Sequence, residues 1–248
     1  MRKTLIAFLA VLTSVAVAAV AFAQNPAPTA SLEVSMTPAK VGTKKKPRSG
    51  RLEVSAETNR ESKSTASKIE IFIPKGARMS TTGLKSCSAS KLNSQGKTAC
   101  PQASKAGSGE ADALLNPYAT NPSPIKFIVT AFVGGKNLLN FYLESEAPEV
   151  NQALVGKITK VSGSKVYGQK LTIAIAGNLQ QPAPGVYSSL QRLETSIGLK
   201  SGKRTLIALT DCPKAKENQF GLRLTFVPNP VAPATTTASA IDGARCSG

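Results

Sequence analysis

The sequence predicts an all-β chain, an antiparallel β-sandwich of the Ig-like or jelly-roll-like kind. Apolar residues recur at every second position in many short runs, and turn pairs such as Ser49-Gly50, Lys75-Gly76, Gly134-Gly135 and Gly177-Asn178 separate those runs. No stretch sustains helical periodicity beyond about two turns. Period-2 alternation sends successive side chains to opposite faces, so each run has one apolar face to bury, and two stacked sheets bury such faces against each other. A β-barrel satisfies the same pattern.

In chain order, residues 1–23 read as a signal peptide. Arg2 and Lys3 form a positive start, Leu5 to Val20 is apolar apart from Thr13 and Ser14, and Ala21-Phe22-Ala23 is a small-x-small cleavage site before Gln24. The alternative is a retained anchor, but the Pro-rich exit at 24–30 breaks any helix at once. A single β-sandwich domain is expected over 31–248, with strands at 32–36, 51–57, 68–73, 126–133, 138–144, 170–176, 193–199, 204–210 and 219–227. The Pro- and Asn-rich stretch 116–124 is the strongest breaker; it reads as a long hairpin loop, or else as a break between subdomains. Gly107-Ser108-Gly109 is too short for a phosphate fingerprint and precedes a strand, and Asp242-Gly243 reads as a turn.

The four cysteines of an exported chain read first as disulfides. Three pairings are open, and the spacings favour two local ones. Cys87 and Cys100 flank 88–93, which looks like one capped helical turn before Gly96. Cys212 and Cys246 bracket a hairpin whose return strand brings them together. A zinc site lacks any C-x2-C pair, and a catalytic thiolate lacks a His to activate it.

Composition bears on function mostly by exclusion. The 248 residues contain no His, which removes Ser-His-Asp and Cys-His catalysis and imidazole metal ligands. Without Trp, and with Asp only at 112, 211 and 242, aromatic sugar platforms and Asp-rich calcium loops are poorly provided for. No cofactor and no metal is expected. The net charge is +17, carried by 22 Lys and 9 Arg spread evenly along the chain. Two dense spots stand out: Lys44, Lys45, Lys46 and Arg48, and the acid-free set Lys157, Lys160, Lys165 and Lys170. The plain reading is a solvated loop and edge-strand lysines that block sheet-to-sheet pairing. The functional reading is anion binding, to cell-wall phosphodiesters, acidic polysaccharide or lipid headgroups. Nucleic acid is not expected, because no recognition motif accompanies the charge.

Two catalytic patterns compete with that reading. Ser88-Ala89-Ser90-Lys91 with Lys200-Ser201-Gly202 matches two short motifs of penicillin-binding enzymes, but the long apolar helix that should follow the first is missing. Glu144 and Glu146 share one strand face with Glu149 close by, and paired carboxylates can hydrolyse glycosides. The favoured expectation is a non-enzymatic secreted or cell-wall-associated protein that binds anionic extracellular polymers through a basic surface. The alternative is a His-free carbohydrate-active enzyme using Glu144 and Glu146.

Ser86-Cys87-Ser88-Ala89 with Leu92, Cys100-Pro101, 104–109, 167–171 and Asp211-Cys212-Pro213 follow one another in an order that resembles a group of uncharacterised secreted β-rich proteins of actinobacteria. The resemblance covers most of the mature chain and implies export and a β-rich fold, with no activity assigned. The Lys-rich segment Gly42-Thr43-Lys44-Lys45-Lys46-Pro47 is similar to one before the second strand in that group, which implies a basic loop.

Overall fold

The computed structural model describes residues 26–232 and 234–248; the expected signal peptide at 1–23 lies outside the described residues. Fifteen strands and two short helices follow in order. They are β1 (Ala30–Thr37), β2 (Arg48–Thr58), β3 (Thr65–Pro74), β4 (Ala77–Met79), α1 (Ala89–Gln95), β5 (Lys105–Leu115), β6 (Ser123–Gly135), β7 (Leu138–Glu146) and β8 (Glu149–Lys160). Then come β9 (Tyr167–Ala174), α2 (Gly177–Gln180), β10 (Ser188–Ile197), β11 (Lys200–Ser201), β12 (Arg204–Thr205), β13 (Ile207–Leu209), β14 (Glu217–Val227) and β15 (Thr236–Arg245).

The antiparallel all-β class is as the alternation predicts, in the form of one large sheet. Thirteen strands hydrogen-bond in the order β15-β14-β3-β9-β8-β7-β6-β5-β10-β2-β13-β4, with β1 on the other side of β2. The two borders of this sheet then meet. Asp242 Oδ2 on β15 accepts the Val34 N–H of β1 at 2.6 Å. Just beyond both strands, Ser247 N–H donates to Ala39 C=O at 3.0 Å and Val41 N–H donates to Ser247 C=O at 2.8 Å. Asp242-Gly243 therefore lies inside β15 and is not a turn, because its carboxylate is spent on the seam. Across the interior β10 approaches β3, so the sheet forms two facing layers that are continuous at both sides.

The core follows from the alternation. Leu32, Val34 and Met36 of β1, Leu52, Val54 and Ala56 of β2, and Ile69, Ile71 and Ile73 of β3 all point inward, as do Phe220, Leu222, Leu224 and Phe226 of β14. The expected strand at 204–210 is cut into β12 and β13 by Leu206, which is fully buried between them.

Antiparallel order puts successive connections at opposite ends. One end is plugged: β13 pairs with both β2 and β4, and Gln169 of β9 ties β4 down, accepting the Met79 N–H at 2.8 Å and donating to the Met79 carbonyl at 3.0 Å. Both disulfides, Cys87–Cys100 and Cys212–Cys246, lie in the connections of this end, in the pairing that the spacing favours. The expected capped turn is α1: Ser88 Oγ accepts the Lys91 N–H at 3.2 Å, and Gly96 ends the helix with φ +73°. Its buried Leu92 packs with Phe132, Tyr142 and Ala153 on the outer face of β6, β7 and β8. The segment 116–122 joins β5 to β6 as a hairpin at the opposite end, Leu115 pairing with Ser123.

Candidate binding site

Two features set this molecule apart from a filled sandwich, and both follow from the two ends. The first is a cavity of about 580 Å³ between the layers. Its walls are inward residues of seven strands, among them Ile69, Ala111, Ala113, Phe127, Phe141, Leu143, Leu154, Ile173, Leu190 and Leu193. Protein interiors are ordinarily packed to the density of organic crystals, so a void of this size in an apolar lining is a candidate binding volume. Glu149 is the one charged lining residue, and it lies exposed at the rim.

The cavity opens where β8 parts from β9. Their ladder covers only Gly156 to Lys160 on β8, although β8 begins at Glu149. The unpaired upstream edge is attended by side chains: Asn93 of α1 accepts the Ala153 N–H at 2.7 Å, and Gln152 exchanges amide hydrogen bonds with Asn178 of α2. Leu179 and Pro182 complete the lip. Gly156 marks the pivot, since a Cβ there would meet Leu171 Cδ1 and Phe141 Cε2 at 2.9 Å each.

The second feature is the distribution of charge. Along the chain the lysines are evenly spread, but in space they are not. The plugged-end connections carry Lys40, Lys44, Lys45 and Lys46 before β2, Lys75 after β3 and Lys85 before β5; beyond Cys87 this last connection runs back along the outer face, where Asn93 reaches Ala153 and Lys97 reaches Glu144. Further on the plugged-end connections carry Lys136, Lys165, Lys200, Lys203, Arg204, Lys214 and Lys216, against Asp211 as their one acid. The connections at the cavity end hold Arg60, Lys63 and Glu61 and are otherwise uncharged.

Of the residues singled out for anion binding, Lys44, Lys45 and Lys46 are exposed on a turn in which Thr43 N–H donates to Lys46 C=O at 3.0 Å, and Arg48 starts β2 beside them. Lys157 and Lys160 come together with Lys136 around a shallow groove that also holds Gln169 and the unpartnered buried hydroxyl of Thr159. Lys136 is the member that sequence reasoning passed over; its Lys-Asn turn between β6 and β7 is the signal. Lys165 is exposed on the next connection.

Lys170 is engaged elsewhere, with Glu70. This carboxylate is buried on the outer face of β3, 2.6 Å from Lys170 Nζ, 2.8 Å from Arg223 Nε and 2.7 Å from Arg223 Nη2. Phe72 lies against both cations, 5.3 Å from the Arg223 guanidinium and 6.0 Å from Lys170 Nζ. Burial by itself raises the Glu70 carboxyl, but the hydrogen bonds and charges of Lys170 and Arg223 outweigh it and hold the group below the ordinary glutamate range.

The catalytic patterns are dispersed. Glu144 forms an ion pair with Lys97 at 2.6 Å on the outer face, Glu146 is exposed at the end of β7 opposite Glu149, and neither Glu144 nor Glu146 lines the cavity. Ser88 caps α1, while Lys200 and Ser201 form the small β11 strand. No cluster of three or more acidic or Cys side chains fit to hold a metal occurs among the described residues. No family model, no curated protein and no solved structure matches this chain.

Proposed function

We propose that the protein is a secreted or cell-wall-associated, non-enzymatic binding protein that holds anionic extracellular polymer through the connections of its plugged end. The segregation of cations to that end carries the reading: thirteen basic residues against one acid is a field of one sign, where an even scatter would leave only local solvated charges. Lysine suits this role, because its ammonium is a mobile, hydrated point charge without the planar fork that selects one partner geometry. Two disulfides in a chain of this size fit an oxidising compartment, and no helix among the described residues is long and apolar enough to cross a membrane. The disulfides brace the same connections that carry the cations, so the charged end keeps its shape outside the cell.

The test is retention on an immobilised acidic polysaccharide and on a polyphosphodiester. Retention at about 0.1 M salt and release near 1 M are expected, since the screening length shrinks from roughly 10 Å to 3 Å. No retention at low salt, or equal retention at high salt, overturns the reading.

A further inference from the structure

We propose that the interior cavity binds a single alkyl chain with an uncharged polar head, the chain between the layers and the head among the amides at the parting of β8 and β9. This site is independent of the basic end.

The shape argues for a chain. Ile125, Phe127 and Val129 are successive inward residues of β6, and all three line the cavity, which therefore runs about 13 Å along the strand at about 3.3 Å per residue. In the other direction it is narrow, because β3, which lines it with Ala66 and Ile69, comes close across the interior to β10, which lines it with Leu190 and Leu193. A long, thin apolar slot fits an extended alkyl chain better than a fused ring system.

The chemistry of the rim selects the head. Asn93, Asn151, Gln152 and Asn178 offer amide donors and acceptors there, and no Lys or Arg lines the cavity. A carboxylate or phosphate head would lose its hydration beside Glu149 with no cation to replace it, which is costly. A hydroxyl or ester head finds partners among the amides. Apart from Arg60, Glu61 and Lys63 the connections of this end are uncharged, which lets such a molecule approach from an apolar phase, while most of the cations in connections stand at the far end of the strands.

Displacement of the neutral fluorophore N-phenyl-1-naphthylamine from the protein by octanol, decanol and dodecanol tests the proposal. The expected result is saturable one-to-one binding that tightens about fourfold per methylene while the chain still fits, with decanol preferred to decanoate. Ala113→Phe and Leu190→Trp project added volume into the slot from β5 and β10 and should abolish displaceable binding, with thermal unfolding confirming that at least one of them is folded. The proposal is overturned if the folded wild type gives no saturable binding, if affinity ignores chain length, if decanoate is preferred, or if a folded slot-filling variant binds like the wild type.

Discussion

Gln152 and Asn178 clasp each other across the mouth of the cavity: Gln152 Nε2 donates to Asn178 Oδ1 at 3.3 Å, and Asn178 Nδ2 donates to Gln152 Oε1 at 2.9 Å. They join β8 to α2 where no backbone ladder does, so the clasp replaces sheet pairing at the one place the wall is open. Both bonds are solvent-exposed, and a net contribution of about 0.5–1 kcal/mol is the most such a pair supplies. Asn178→Ala should therefore lower the melting temperature by no more than about 4 °C. It should nonetheless quicken entry of N-phenyl-1-naphthylamine in stopped-flow mixing and raise hydrogen exchange along 149–155. Unchanged entry and exchange would show that the clasp does not hold the mouth.

The Glu70 cluster yields a pH prediction whose sign is set by its cations. A carboxyl held below its unfolded value of about 4.3 contributes stability that is present above that pH and is lost as pH falls through the folded value. Unfolding measured from pH 7 down to pH 2 should show stability declining below about pH 4, and Glu70→Gln should flatten that decline. At pH 7 the same variant should cost about 1–3 kcal/mol, toward the low end because Lys170 and Arg223 are partly solvated and can turn to water. An unaltered acid limb in Glu70→Gln would assign the acid sensitivity to other groups.

Strands with large alternating side chains were legible in the sequence, and those whose inward residues are small or polar were not. β1, β2, β3 and β14 put Leu, Val, Ile or Phe inward at every second position, and the alternation finds each of them. β8 escapes because Gln152 and Gly156 interrupt its inward series of Val150, Leu154 and Ile158. Those two residues are the rim and the pivot of the cavity, so the local pattern fails where the site is. β5 is muted in the same way: Ala111 and Ala113 are small beside the void. Gly107 and Gly109 are bare because a Cβ there would meet the β10 carbonyls of Ser196 and Glu194 at about 2 Å. The cysteine pairing was legible because Cys87–Cys100 lies within one connection and Cys212–Cys246 brackets one hairpin. The charge segregation was not, since it depends on which end each connection reaches, and counts along the chain average over that.

Cys212–Cys246 closes a loop of 34 residues around the hairpin of β14 and β15, and it sits next to the seam where Ser247 bonds to Ala39 and Val41. Replacing both cysteines with Ala frees the end of β15 and should cost about 3–4 kcal/mol by loop entropy, or roughly 10 °C in melting temperature. The loss should be felt first at the seam, as faster hydrogen exchange at Val34, Val41 and Ser247 relative to β6 and β7. Uniformly faster exchange would mean that the seam is no weaker than the rest of the sheet.

Position along the strands, more than total charge, should govern adhesion to anionic polymer. Lys44, Lys45 and Lys46 are exposed on a short turn at the plugged end, and Arg60 and Lys63 are the two cations in the connections at the cavity end. Exposed side chains in connections seldom alter stability by more than about 0.5 kcal/mol, so changing either set to Gln should leave thermal unfolding nearly unchanged. A protein adhering by net charge alone would lose affinity in proportion to the charges removed, wherever they stand. One adhering by its basic end should elute at clearly lower salt after Lys44→Gln, Lys45→Gln and Lys46→Gln, and at nearly the wild-type salt after Arg60→Gln and Lys63→Gln. The separation rests on distance: β2 alone has 11 residues, some 35 Å at about 3.3 Å each, which is more than three screening lengths at 0.1 M salt. Charges at the far end are thus invisible to a polymer lying on the near one. Equal shifts per charge removed from either end would refute a directed surface.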